Sequence, residues 1–241
     1  MARKIIVGTL ISGGGTNLQA IIDACQENRI DAEICFTGSD TPCVKGLERA
    51  KKAQIDTFVV DYARIIKDCK QHGIKDTDLP EDFDLEEMVS KQRLMVTDAS
   101  KEQVAFFLKS RAIAERKLLD LVLAYEMDLL VLAGFMRVMT PYFIDRINTE
   151  PGQHKIMNIH PALLPAFPGT DGYGDTFRYG CKIGGCTVHF IDYGEDTGPI
   201  IGQKAFEIED TDTLDDVKRK GLEKEWALYP HCIQKFAESF A

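Results

Sequence analysis

Two hydrophobic periods alternate along the first sixty residues of this chain. Residues 4–11 form a β-branched run that ends at Ser12 and three glycines, the signature of a buried strand. Leu18, Ile21, Ile22 and Cys25 then recur at helical spacing over residues 16–25. A second strand is predicted at 31–37, a second helix at 44–53 on Leu47, Ala50 and Ala53, and a third strand at 55–60. A βαβαβ rhythm of this kind predicts a parallel sheet with right-handed crossovers, the nucleotide-binding half of a doubly wound α/β fold.

The pattern weakens over residues 62–101, where the acidic stretch around Pro80 predicts an insertion carrying one or two short helices. Such an insertion serves as a surface or oligomer contact, or as a lid. Ser100-x-x-Gln103 is a capping-box signal that opens a long helix to about residue 124, with Arg111 on or beside it. Residues 128–133 are the most apolar run and predict a central strand. Gly134-Phe-Met-Arg-Val-Met leaves its carboxyl end, where open α/β sheets bind ligands. A helix follows at 141–147 with proline in its first turn. If 155–159 is a strand, Asn158 and His160 share one face at its end, and Pro161, Pro165 and Pro168 then enforce a stiff loop.

A short helix is expected at 171–179, and 185–191 alternates as a strand with Thr187 and His189 on one face. A carboxylate-rich loop at 192–199 leads to a strand at 200–208. The last helix spans 213–240, with Pro230 expected to kink or break it. Neither a repeat nor a linker interrupts the chain. The expectation is one domain over 1–241, mostly parallel, with an antiparallel C-terminal hairpin and a long C-terminal helix.

Composition narrows the function classes. A formal net charge of −9 argues against general nucleic-acid binding, which needs a basic face. Seven scattered cysteines without a Cys-x-x-Cys pair indicate neither a disulfide framework nor a thiolate metal site. No apolar run reaches the ~18 residues of a membrane span, and the N-terminus leads straight into a strand, so the expected location is cytoplasmic.

The candidate chemistry sits in two places. Gly13-Gly14-Gly15 between a strand and a helix aims backbone N–H groups at an anion. It is neither a Walker loop nor Gly-x-Gly-x-x-Gly, so a mononucleotide-type phosphate is the expected guest, with an unliganded βα turn as the alternative. Asn158, His160 and Asp196 form a set suited to acyl transfer: an amide donor for an oxyanion, an imidazole for protons, and a carboxylate to orient it or hold a water. No Gly-x-Ser-x-Gly elbow is present and no cysteine adjoins His160, which favours direct transfer to an amine over a covalent enzyme intermediate. The His154 to His160 spacing does not suit a metal.

With these residues in view the sequence resembles the folate-dependent phosphoribosylglycinamide (GAR) formyltransferases of purine biosynthesis. The resemblance rests on Ile11-Ser-Gly-Gly-Gly-Thr-Asn-Leu-Gln-Ala-Ile-Ile, Gly46-Leu-Glu-Arg-Ala, Val131-Leu-Ala-Gly-Phe-Met-Arg-Val, Asn158-Ile-His-Pro-Ala-Leu-Leu-Pro-Ala-Phe-Pro-Gly, Thr187-Val-His-Phe and Asp196-Thr-Gly-Pro-Ile-Ile, in the family's order. It covers nearly all of the chain outside 62–101. The resemblance implies a formyltransferase fold, 10-formyltetrahydrofolate as formyl donor and small-molecule substrates; the remaining expectations are no metal, no nucleic-acid or membrane partner, and a possible homodimer. It further implies that Asn158, His160 and Asp196 are catalytic. Gly15, Thr16, Asn17 and Glu225 would hold GAR, while Arg111, Met136, Arg137, Val138, Met139, Ile191 and Asp192 would hold the folate. The implied reaction is attack of the neutral amine on the formyl carbon, through a tetrahedral intermediate.

One departure from the family stands close to the expected reaction centre: where relatives usually carry His-x-His after Pro-Gly, this chain has Asp171-Gly172-Tyr173. The alternatives are a deformylase or a formyltransferase of the same fold with an amino-sugar or aminoacyl-tRNA acceptor. A catalytically silent nucleotide-binding module is a third. The first and last of the enzyme alternatives usually carry an extra domain for which this length leaves no room.

Overall fold

Residue alternation decides which side of the sheet each core residue joins. In β1 (Ile5–Ile11), Ile5, Val7 and Ile11 enter one apolar cluster and Leu10 the other. In β4 (Leu129–Leu132), Leu129 and Val131 face the first cluster while Leu130 and Leu132 face the second. Strands buried on both faces read as continuous apolar runs, which is why residues 128–133 stood out. The structure is a computed structural model that describes residues 3–94, 99–150 and 152–239.

Among the described residues seven strands form one sheet. The others are β2 (Ala32–Ser39), β3 (Asp56–Val59), β5 (Ile156–His160), β6 (Ile183–Phe190) and β7 (Ile200–Glu207), and the spatial order is β3-β2-β1-β4-β5-β6-β7. The first five pair in parallel, and β5, β6 and β7 pair antiparallel. The sheet is thus doubly wound and mostly parallel, with β4 at its centre.

Helices α1 (Thr16–Gln26), α2 (Lys45–Lys52) and α8 (Leu214–Glu238) cover one face through Leu18, Ile22, Leu47, Leu228 and Ile233. The opposite face is covered by α3 (Tyr62–His72), α4 (Leu85–Lys91), α5 (Lys101–Val122) and α6 (Pro141–Ile147), which bury Tyr62, Met88, Leu108, Leu119 and Phe143. The capping box at Ser100 and Gln103 forms with both hydrogen bonds in place. The short helix α7 (Gly172–Tyr179) packs with α8 and Phe206 in a third, smaller cluster.

Two expectations need adjustment. Pro230 does not break the last helix: α8 runs unbroken from Leu214 to Glu238, because Leu228, Tyr229, Cys232 and Ile233 bury against the sheet around the proline and outweigh the lost N–H bond. The predicted end of that helix at Phe240 lies outside the described residues. The segment 62–101 holds the helices α3 and α4 and a short turn at Asp76–Asp78, and its residues 95–98 are also outside the description. Far from projecting into solvent, α4 is tied down: Asp82 accepts from Tyr142 and Arg146, and Lys91 pairs with Asp145.

Candidate active site

The cavity that matters opens at the carboxyl ends of β4 and β5, where a parallel sheet diverges and its loops form a crevice. It has a volume of about 260 Å3. A larger one, about 480 Å3, lies at the amino ends of the same strands, but Arg3 and Arg146 in its wall are already paired with Asp128 and Asp82. Nothing at that end resembles a reaction centre.

Asn158 and His160 stand two apart on β5 and both reach the cavity, as the strand period requires. The loop after Phe190 brings Asp196 to them from the opposite wall. Asp196 Oδ2 lies 3.2 Å from His160 Nδ1 and accepts the Gly169 N–H at 2.8 Å. His160 Nε2 lies 2.7 Å from the Phe167 carbonyl oxygen, which can only accept, so this nitrogen carries a proton. Phe167 and Asp196 hold left-handed backbone angles, φ 54° and 55°. Non-glycine residues adopt that conformation at a cost, and here it aims a carbonyl and a carboxylate at one imidazole.

His189, fully buried on β6 opposite Asn158, completes the cluster. Its Nδ1 donates to the Phe190 carbonyl at 2.9 Å, which leaves Nε2 as an acceptor for Asn158 Nδ2 at 3.3 Å. Burial lowers the His189 pKa, with the nearby Asp196 charge and the Phe190 carbonyl working in the opposite direction. A neutral His189 fixes the Asn158 amide and leaves its second N–H for a ligand oxygen. Sequence reasoning noted His189 on its strand face but gave it no role; the signal was its alternation with Thr187 beside the Asn158 strand.

The acceptor end of the cavity is built by α1 and α8. Glu225 is 5% exposed and lines the cavity with Asn17. Asn17 Nδ2 donates to Glu225 Oε2 at 2.7 Å, and the Tyr173 hydroxyl donates to Oε1 at 2.6 Å. Burial raises the Glu225 pKa, an effect opposed by those two donors. The Asn17 Oδ1 atom is buried without a hydrogen-bond partner. Just before it, Gly15 caps α1 with φ 68°, and a Cβ there would stand 2.7 Å from Gly46 Cα, so the turn requires glycine. No side chain caps the first N–H groups of α1, and its first turn holds no acidic residue. Gly15 and Thr16 do not line the main cavity; Thr16 opens instead on a neighbouring recess with Gln19, Arg49 and Trp226.

The opposite wall is the segment after β4. Phe135, Met136, Arg137, Val138, Met139 and Ile191 line it, as expected for all but Phe135, which sequence reasoning left unassigned. Ser12 joins this wall to the glycine turn, donating its N–H to the Gly134 carbonyl and accepting from Met136 N at 2.7 Å. Arg137 is held by the buried Asp40. Arg111 does not line the cavity. Its guanidinium stacks on Tyr62 and Phe107, Arg137 stacks on the same Tyr62 ring, and Arg111 Nε and Nη1 are buried without partners. Asp192 also stays out of the cavity, turned back onto Gly194 N and Thr197 Oγ1. The 62–101 segment reaches this loop too, where the Arg93 N–H donates to the Tyr193 carbonyl at 2.9 Å.

A doubly wound sheet whose crevice joins an Asn, a His and an Asp suits acyl-group transfer. The chain belongs to the formyl transferase family, whose model matches residues 3–233. It is 32% identical over 226 residues to a phosphoribosylglycinamide formyltransferase of Bacillus subtilis (strain 168), covering 93% of this chain and 90% of that protein. A protein of the same name from Haemophilus influenzae is 34% identical, with 98% and 88% covered. Among solved structures, glycinamide ribonucleotide transformylase 1 from Symbiobacterium toebii superposes with a TM-score of 0.71 at 34% identity, covering 98% of this chain and 88% of that one.

Proposed function

We infer that the protein transfers a formyl group from 10-formyltetrahydrofolate to the primary amine of glycinamide ribonucleotide, as one step of purine biosynthesis. The observation that carries this reading is the convergence of Asn158, His160 and Asp196 between an acceptor-lined wall and an apolar one. Met136, Val138, Met139 and Ile191 offer an apolar slot suited to a flat heterocycle, and the unpartnered nitrogens of Arg111, which shares the Tyr62 ring with the cavity-lining Arg137, suit an anionic tail. The folate supplies an activated formyl group when bound.

The residues then divide the work. Asn158, oriented by neutral His189, donates its second N–H to the oxygen that gains charge as the amine attacks. His160 contributes its imidazole to the same charge, and Asp196 beside it helps move the proton from the attacking amine to the folate nitrogen, which leaves as the tetrahedral intermediate collapses to the formylated amine. The N-terminus of α1 behind Gly15 serves the phosphate of the amine substrate, because unpaired N–H groups and the helix dipole both favour an anion. Thr16 is near that anion, and Asn17 with Glu225 meets the ribose and amide portion. The direct amine attack avoids any need for an enzyme nucleophile.

The test mixes purified protein with 10-formyltetrahydrofolate and follows tetrahydrofolate release with and without glycinamide ribonucleotide. Release that depends on the amine is expected. Equal release without it would assign a deformylase, and absence of binding for both compounds would sink the reading.

A further inference from the structure

Glu225 is a buried carboxylate whose two oxygens are each engaged by a different element. Asn17 on α1 donates to one and Tyr173 on α7 donates to the other, at 2.7 and 2.6 Å. Two donors on separate oxygens fix both the plane and the tilt of the carboxylate. Asn17 and Glu225 line the cavity, whereas Tyr173 does not. The tyrosine hydroxyl therefore reaches a ligand only through Glu225.

Two further observations make the arrangement more than a satisfied buried pair. Asn17 is 7% exposed, and with its Nδ2 committed to Glu225 its Oδ1 is left buried and unpartnered beside the cavity. Such an atom is costly unless a donor arrives. The second is Gly221 on α8: a Cβ there would stand 2.1 Å from Tyr173 Cζ and 2.4 Å from its hydroxyl oxygen. The missing side chain of Gly221 is the space in which the Tyr173 phenol lies.

We propose that Tyr173 is a positioning and specificity-determining residue for the amine substrate: its hydroxyl locks Glu225 so that Glu225 and Asn17 Oδ1 present a corner made only of acceptors, matched to a ligand rich in N–H and O–H donors such as ribose hydroxyls or a glycinamide arm. The proposal rests on the reading of Asn17 and Glu225 as contacts of that substrate. It also explains the sequence departure at Asp171-Gly172-Tyr173. A phenol at this position donates to Glu225 without bringing a positive charge to the corner.

The groups that face Glu225 from the packed elements are few. Tyr173 comes from α7, Cys186 from β6, His160 from β5 and Tyr229 from α8 itself. Burial raises the pKa of Tyr173, Cys186 and Tyr229, which keeps all three neutral, and Asn17 carries no charge. His160 is the one basic side chain among these groups. The Tyr173 hydrogen bond favours the ionised carboxylate, so its loss raises the pH at which Glu225 ionises.

Steady-state kinetics on Tyr173→Phe in the intact protein test the proposal. The expected result is a rise of about tenfold in KM for glycinamide ribonucleotide, the range for one hydrogen bond to a charged group. The folate KM and kcat stay within about twofold, and the acid limb of kcat/KM for the amine moves to higher pH. Gly221→Ala, which displaces the same hydroxyl from outside the cavity, is expected to give the same signature, and melting curves accompany both variants. Glu225→Gln separates the two levels of the argument. If Glu225→Gln leaves the amine KM unchanged, the reading of Glu225 as a substrate contact fails. If Glu225→Gln raises it while Tyr173→Phe and Gly221→Ala change neither KM nor the acid limb, the positioning role of Tyr173 alone is overturned. A fall in kcat with both KM values unchanged overturns it as well.

Discussion

The two walls of the active-site cavity differ in the sign of the hydrogen bonds they leave unmade. On the α1 and α8 side the unpartnered buried atom is an acceptor, Asn17 Oδ1, next to the Glu225 carboxylate. Beyond the β4 side two donors, Arg111 Nε and Nη1, are buried without partners, and so is the hydroxyl of Tyr62, the ring over which Arg111 and Arg137 stack. Between them, Asn158, His160, His189 and Asp196 are linked to one another and to nearby backbone, with the second Asn158 N–H left over. Leaving buried polar groups unmatched costs stability, and a bound ligand that supplies the missing partners recovers that cost. Under the proposed function, a donor-rich amine substrate would occupy the first wall and an anionic folate tail the second.

The largest effect should follow from breaking the middle. His160→Ala is expected to lower kcat by about 10²–10³-fold, the usual consequence of losing one group that stabilises an oxyanion. Both KM values should change by less than about threefold, because neither wall depends on the imidazole. Steady-state kinetics with each substrate varied in turn would check this, with direct titration of glycinamide ribonucleotide into the folded variant. A variant that loses amine binding together with turnover would mean that the walls and the centre are one unit.

A smaller effect of two opposite kinds is expected on the donor wall. Arg111→Met keeps the unbranched apolar stem while removing the guanidinium, with its unpartnered nitrogens and its stacking on Tyr62 and Phe107. Burial lowers the Arg111 pKa, with the like charge of Arg137 adding to it, so the apo protein carries this cation at a cost. The folate KM should rise about tenfold with the amine KM unchanged, and the apo melting temperature should rise by about 2–4 °C, the shift that ~1 kcal/mol produces at this size. A lower melting temperature would show that Arg111 is a structural cation and not a waiting ligand contact.

How far the sequence revealed this asymmetry depends on the range over which each signal acts. The strands and helices were legible because period and capping are local: the alternation in β6, the apolar run of β4 and the capping box at Ser100 all fell close to their predicted bounds. The middle of the site was legible as well, because Asn158 and His160 lie on one strand face. What escaped were relations between distant segments. Tyr173 meets Glu225 across 52 positions and only because Gly221 makes room, and Arg111 is stacked on Tyr62 from another helix. Pro230 misled for the same reason, since its local propensity was overridden by packing of α8 on the sheet. The 62–101 segment read as acidic surface, yet Lys91 and the Arg93 backbone tie it to Asp145 and to the loop that carries Asp196.

The smallest effect concerns the electrostatic floor of the donor wall. Glu115 on α5 is fully buried, accepts from the Thr140 N–H and hydroxyl, and is the acidic group nearest in influence to Arg111 after burial and like charge are counted. Burial pushes its pKa up to about 7, while the Thr140 bonds and the Arg111 charge pull it down. The folded pKa therefore lies above the ordinary value of 4.5, and the folded state binds the proton more tightly than the unfolded chain. That contribution to stability is complete below about pH 4.5 and is lost as pH rises through about 7. Glu115→Gln stays neutral throughout, so its melting temperature relative to the parent should climb between pH 5 and 8 and level off above that, by about 2–4 °C for each ~1 kcal/mol gained. Melting curves at half-unit pH intervals would show the climb. A flat difference would mean that Glu115 stays ionised by pairing with Arg111, in which case the donor wall is already neutralised from within and Arg111 has less charge to offer an anionic tail.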